Sequence, residues 1–391
     1  MKVFLTSRIK KIILIIFCCS TVGASCQDTI AVAFHGYVKN LETFTFIDDP
    51  DTIFLNNLLH HRVNISFQAG NHFVFNGGIR NLFFIGDNVK YSLNFSKLVS
   101  QDDGYYDLSM VWVDKHSLVF ITLIDRLNTT WKFKNGFLRA GRQRINWGIN
   151  LVWNPNDIFN TYNFLDYDYE ERPGSDALLF SYGLKNQSNF DIAVSPSRSD
   201  SLWIGAVKYT LNKWGYDFQF IGGNYKSDIV AGIGFAGNIK DAGWKGEISY
   251  FIPRTNTTEQ ERNISISSGI DYGFKNGWYI NGSLLYNSQA PGQLYSQSQL
   301  TGFQLTPKTL MPAKWNFLLQ AVKPFSPLFK GNFTLVYSPE IQLVILLPYF
   351  SYSLSDKWDL DLNLQSFFAE NIQQKFKPLG NTVNFRIKWS Y

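Results

Sequence analysis

The last eleven residues, "NTVNFRIKWSY", set the tightest limit on what this chain can become. Val383, Phe385, Ile387, Trp389 and Tyr391 fall on one side of an extended strand, with Thr382, Asn384, Arg386, Lys388 and Ser390 on the other. Period two, with one apolar face and one polar face, describes a strand held between two different solvents. The alternation returns in "LWIGAVKYTL", where Trp203, Val207, Tyr209 and Leu211 oppose Lys208 and Thr210. It returns again in "KWDLDLNLQS", where Trp358, Leu360, Leu362 and Leu364 oppose Asp359, Asp361, Asn363 and Gln365. Charges so placed are costly against lipid and cheap against water, so they must line a wet interior.

Beyond the N-terminus the longest apolar run is "LVILLPYF" (343–350), far short of the ~18 residues a spanning helix needs. The chain nevertheless carries 34 Phe, 20 Tyr and 11 Trp. Aromatic richness without long apolar segments suits a transmembrane antiparallel β-barrel, an all-β fold whose signal is spread over many short strands. Eighteen candidate strands can be parsed between residues 30 and 391. Short turn-like connections ("GN" 70–71, "KNG" 134–136, "KNQ" 185–187, "NKW" 212–214, "KNG" 275–277, "SDK" 355–357) fall on one rim, assigned to the periplasm. The long connections, 86–116, 149–175 and 289–312, fall on the other, extracellular rim. Residues 225–228, 324–330 and 338–340 fit the scheme less well and leave the count at 16 to 18.

The N-terminus sets the compartment. Lys2, Arg8, Lys10 and Lys11 precede "IILIIFCC" and a run of small residues, the layout of a secretory signal peptide over residues 1–26. Cleavage is expected after Cys26 or after Ala24, with a lipoprotein acylated at Cys26 as the alternative. Removal takes all three cysteines, so the mature chain, residues 27–391, has no thiol and reads as a single barrel domain. It also takes four of the 36 basic residues and none of the 31 acids, leaving a net charge of +1. A nucleic-acid partner loses its support.

The stretch "LRAGRQRINWGINLVWNPNDIF" (138–159) is then read as a strand over 137–148 followed by a loop. Its inward face is expected to be Leu138, Ala140, Arg142, Arg144 and Asn146. Arg62 and Arg80 join that wall from the strands at 57–69 and 72–85. Arg126 joins it from 117–133, where Val119, Ile121, Leu123 and Leu127 are expected to face out. Asp125 interrupts that pattern, which asks for a bulge or another register. The loop 149–175 carries Asp166, Asp168, Glu170 and Glu171. Folded inward, these acids would oppose the arginines across a constriction and orient passing solutes. Left outside, they would meet only water. An inward-facing tally of Arg62, Arg80, Arg126, Lys132, Arg142, Arg144, Lys208, Lys245, Arg386 and Lys388 outnumbers Asp217, Glu247, Asp271, Asp359 and Asp361.

"RAGRQRINWGINLVWNPNDIFN…DYDYEERPGSDAL" resembles the signature block of porin-like outer-membrane proteins common in Bacteroidetes. It is more distantly similar to a proteobacterial porin-like family, at Gly141, Arg142, Gln143, Trp147, Gly148, Asn154, Pro155, Asp157, Arg172, Pro173 and Gly174. Alginate-export porins resemble it in strand number and arginine-lined interior. The terminal Phe385, Trp389 and Tyr391 resemble the signal by which bacterial barrels engage their assembly machinery. Together these imply an outer-membrane channel, embedded in lipid, for diffusion or facilitated transport of small polar or anionic solutes. An enzyme in a barrel is the competing class, of phospholipase or protease type. His35, His60, His61, His72 and His116 show no nucleophile arrangement and no metal-ligand spacing, so no cofactor is expected. A surface adhesin or scaffold is the third class. An energy-coupled importer would need a plug domain before the barrel, and alternation begins near Ile30.

Overall fold

The computed structural model describes residues 30–46, 53–161, 163–166, 168, 174–199, 202–254, 261–293, 303, 305–370 and 376–391. The expected signal segment, Glu170, Glu171, Arg172 and Pro173 lie outside the described residues. The first strands are β1 (Ile30–Phe46), β2 (Ile53–Ala69), β3 (Phe73–Gly86), β4 (Ser109–Lys115), β5 (Leu118–Phe133) and β6 (Gly136–Gln143). There follow β7 (Ser175–Gly183), β8 (Asn189–Ser195), β9 (Ile204–Lys213), β10 (Tyr216–Tyr225), β11 (Asp228–Ile239), β12 (Ala242–Pro253) and β13 (Asn263–Gly273). The last are β14 (Tyr279–Asn287), β15 (Trp315–Pro324), β16 (Phe329–Ser338), β17 (Leu343–Ser355), β18 (Trp358–Glu370) and β19 (Phe376–Ser390).

Each strand pairs antiparallel with the next, β3 passes over β4 to pair with β5, and β19 returns to β1. Eighteen strands therefore close the barrel. β4 is an insertion in the long connection after β3, unforeseen in the strand parse. It pairs with β5 over Leu118–Leu123, while β6 takes Leu127–Phe133, so β4 fills the edge that the short β6 leaves open. The seam runs from Tyr37↔Ser390 to Phe46↔Asn381, and Gly36 and Tyr391 exchange two backbone hydrogen bonds of 3.0 Å. The Tyr391 ring stacks on Phe34 and its hydroxyl donates to the Arg62 carbonyl, so the ring covers Gly36. An aromatic side chain over a strand glycine restores the packing that the missing Cβ gives up.

Alternation sorts the two faces. Leu362, Phe385, Trp389, Leu178, Ile233 and Leu319 are exposed on the outside, while Asp361, Asn363, Asn384 and Arg386 are buried within. An apolar exterior around a polar interior is the surface of a barrel that spans a membrane. Both ends of the described chain lie at the rim that carries the tight turns.

Two stretches depart from the expected faces. Between Gly78 and Ile79 the β3–β5 register shifts, pairing Gly78 with Arg126 and Ile79 with Ile124. Asp125 is the extra residue of that bulge, and its carboxylate turns inward to Arg62 and Arg80. Beyond it the parity inverts. Val119, Ile121 and Leu123 face in, against the short helices α1 (Asp87–Tyr91) and α2 (Phe95–Val99), and do not face lipid as expected. The second departure is in β6, which leaves the sheet after Gln143 and does not continue to Gly148.

The glycine at the seam gives a test. A Cβ on Gly36 would lie 2.2 Å from the Arg62 carbonyl oxygen, whereas one on Gly222 of the outer wall meets nothing within 4 Å. Gly36→Val is expected to cost about 1–3 kcal/mol through overpacking, and Gly222→Val very little. The heat at which the compact band on a denaturing gel converts to the unfolded one should fall for the first variant alone.

Candidate functional site

The chain that leaves β6 stays inside the barrel. Ile145, Trp147, Ile158 and Phe159 pack on the inward residues Ala177, Leu179, Ala193, Ala206, Ile221 and Phe251. Glu247, buried on β12, accepts the backbone N–H of Ile149 at 2.5 Å and those of Asn150 and Asn156 at 2.9 Å. Ser249 donates to the Pro155 carbonyl, Gln219 to that of Trp147, and Asn150 to the Ser267 hydroxyl. Further along, Val152, Trp153 and Leu165 join an apolar cluster with Leu285, Leu318, Val336, Ile345 and Phe367 from β14–β18. Gln365 donates to the Leu165 carbonyl. The described residues of the connection 144–174 thus pass along the wall from β6, by β10–β13, to β14–β18. Backbone away from a sheet persists in such a place because side chains of the wall satisfy it.

The far end meets a basic wall. Asp168 lies 2.5 Å from Lys39 Nζ on β1, 3.3 Å from His60 Nδ1 on β2 and 3.7 Å from Arg386 on β19. Arg386 also forks onto Asp361, and Asp125 bridges Arg62 and Arg80. The register adds Arg126, Lys132 and Lys388 to the same inner face. From β18 round to β5 the inward set holds eight basic groups and four acids, Asp114, Asp125, Asp359 and Asp361. On β7–β13 it is reversed, with Lys208 and Lys245 against Asp191, Asp217, Asp228, Glu247 and Asp271. The two halves of the lumen carry opposite charge.

Within the connection the two aspartates differ. Burial would raise the Asp168 carboxyl, but the hydrogen bond from His60 and the charge of Lys39 overcome it and hold the group down at about 2. Asp166 opens to lumen water, yet the surrounding wall displaces bulk solvent. That burial and the Asp168 charge push it up to about 6.

Arg62, Arg80 and Arg126 lie on the inward face. Arg142 does not. The register pairs it with Leu127 and Asp176, on the face of Trp131 and Leu178, whereas Arg139 and Gln143 take the inner side. It is buried all the same, because the extracellular segment 102–106 folds over it as a third layer. Arg142 forks onto Asp176 at 2.8 Å, reaches Asp102 at 2.6 Å, and donates to the carbonyls of Tyr106 and Ile124. Arg144 and Asn146 belong to the departing segment, alternating with the buried Ile145 and Trp147, and Asn146 is exposed. Sequence reasoning left out Lys39, the inward placement of Asp191 and Asp228, and the role of Glu247 as a backbone acceptor.

No family model matches the sequence, and no curated protein does. Solved structures share the fold. The outer membrane protein opdK of Pseudomonas aeruginosa aligns with TM-score 0.59 at 8% identity, covering 92% of this chain and 98% of that one. OccAB4 of Acinetobacter baumannii gives 0.58 at 9%, covering 93% and 99%. OccK8 (OprE) of P. aeruginosa gives 0.56 at 10%, covering 92% and 98%. The fold is the porin-like barrel of outer-membrane channels.

Removing Arg142 leaves two carboxylates uncompensated, a loss of about 3–5 kcal/mol when such a pair is buried. Arg142→Ala is expected to make the segment 100–108 sensitive to added protease while leaving reversal potential unchanged. A shifted reversal potential would return Arg142 to the ion path.

Proposed function

We propose that the chain is an outer-membrane channel for small polar solutes, narrowed by the connection 144–174 and biased by a transverse field across its lumen. The observation that carries this reading is the connection itself. It is fixed to Glu247 on the acidic half and carries Asp168 among Lys39, His60 and Arg386 on the basic half. Opposed charges in a low-dielectric tube orient a dipolar solute and favour anionic groups along the basic side. On the basic half the excess of positive charge persists with Asp166 and Asp168 counted against it, so anions are favoured along that side. Lipid surrounds the barrel, and Phe385, Trp389 and Tyr391 on the outer face of β19 serve recognition by the assembly machinery. The arginine lining therefore consists of Arg62, Arg80, Arg126, Arg139 and Arg386, with Arg144 and Asn146 projecting from the connection.

Planar-bilayer recording in a salt gradient tests this. The wild type should favour anions, and Arg80→Gln with Lys388→Gln should move the reversal potential toward cations. An unmoved potential rejects the field. The pH dependence has a definite sign. Asp166, held near 6, is charged at pH 7 and neutral at pH 5, so anion preference should rise as pH falls between them. Asp166→Asn should flatten that response.

A further inference from the structure

The long connection between β14 and β15 also comes inside the barrel. Its returning arm is fastened at three points. The Pro312 carbonyl accepts from the Gly292 N–H at 2.8 Å, the Ala313 carbonyl from the Asn316 amide at 2.8 Å, and Glu340 accepts the Lys314 N–H at 2.8 Å. Just before this arm, Leu310 and Met311 are buried in one apolar cluster with Val152, Trp153 and Leu165 of the connection 144–174. The two connections pack on each other.

Residues 306–309 make a tight turn, in which Thr306 and Thr309 exchange backbone hydrogen bonds of 3.2 and 2.9 Å around Pro307 and Lys308. Proline presets the backbone angle such a turn needs. Lys308 stands at the tip and reaches sideways. Its Nζ lies 2.9 Å from Asp228 Oδ2 and 6.0 Å from the centre of the Phe251 ring. Asp228 is the first residue of β11, and β12 and β13 stand between it and β14.

The ion pair is uneven. The Lys308 side chain is 28% exposed and that of Asp228 only 3%, and the second Asp228 oxygen is buried without a partner. Among the described residues Lys308 is the one cation that pairs with Asp228. A buried carboxylate that loses its cation is strongly destabilised where it stands. Asp228 therefore has two tolerable surroundings, Lys308 with the turn lowered or water with the turn raised.

We propose that residues 305–311 are a latch at the extracellular mouth, with Lys308 and Asp228 as its catch. While the catch holds, Leu310 and Met311 keep the middle of the connection 144–174 against β14–β18. When it breaks, 305–311 swings about the fastened arm at 312–314 and uncovers the cluster. The latch rests on the reading of that connection as the narrowing of the channel, which a raised latch would loosen.

The three cysteines all lie within the first 26 residues, so a single introduced cysteine is unique in residues 27–391. Met311→Cys puts a thiol where the native side chain is 1% exposed, and Leu93→Cys puts one where it is 94% exposed. With a membrane-impermeant maleimide applied to whole cells, Leu93→Cys should label fast and Met311→Cys slowly. Adding Lys308→Met, which keeps the length and removes the charge, should speed labelling of Met311→Cys by roughly tenfold or more. Adding Lys308→Arg should leave it slow. Leu93→Cys should label at one rate in all three backgrounds, and each barrel should keep its heat-modifiable migration. A Met311→Cys thiol that labels as fast as Leu93→Cys in the otherwise native chain would overturn the proposal. So would a rate indifferent to Lys308→Met, or equal rates with Lys308→Arg and Lys308→Met. No readout here uses conductance, so an error in the reading of the narrowing would show in conductance and leave these rates as predicted.

Discussion

A sheet surrounded by hydrocarbon has no water to which an unpaired backbone N–H can turn, and each unmet group costs several kcal/mol. Closure is therefore the condition on which the rest of this structure depends. The return of β19 to β1, ending in the mutual hydrogen bonds of Gly36 and Tyr391, closes the seam over residues 36–46. β4 answers the same condition locally. Where β6 turns away after Gln143, β4 supplies partners for the upper part of β5, and the segment after α2 brings its own carboxylate to Arg142.

Closure also fixes the interior. Side chains of alternate residues must go somewhere, and the polar half of each strand converges on a lumen. That lumen is polar enough to hold irregular backbone. Glu247, Ser249, Gln219 and Gln365 each spend side-chain hydrogen bonds on main-chain groups of the connection 144–174. The described part of the connection is thereby held to the wall with no sheet of its own. The uneven distribution of charge between the two halves follows from which strands supply which residues, and it needs no bound ligand to exist.

Much of this was legible in the sequence because the barrel imposes its pattern locally. Each strand of the closed sheet stands between two solvents, so "NFRIKWS" or "DLDLNLQ" declares its faces without reference to any neighbour. What was not legible depends on contacts distant in sequence. The bulge at Asp125 exists because Arg62 and Arg80 draw its carboxylate inward, and it reverses every face above it. Alternation sets Arg142 opposite Phe137, Ile145 and Trp147, whose apolar ends read as the lipid face; a covering loop offers a third environment that alternation cannot reveal. Lys39 went unassigned for a related reason. Asn40 and Glu42 occupy outward positions of β1 and blur the alternation that would have marked Lys39 as inward. Backbone acceptors such as Glu247 leave no trace in a side-chain pattern at all.

On the proposed reading, a connection tied to the wall narrows the passage. Glu247→Ala removes the acceptor of three backbone N–H groups at once and frees the first part of that connection. Single-channel conductance of this variant, in a barrel shown to be folded by its gel migration, is the most direct measurement. The account predicts a larger and noisier conductance than that of the wild type. An unchanged conductance would place the narrowest part of the channel elsewhere and contradict it.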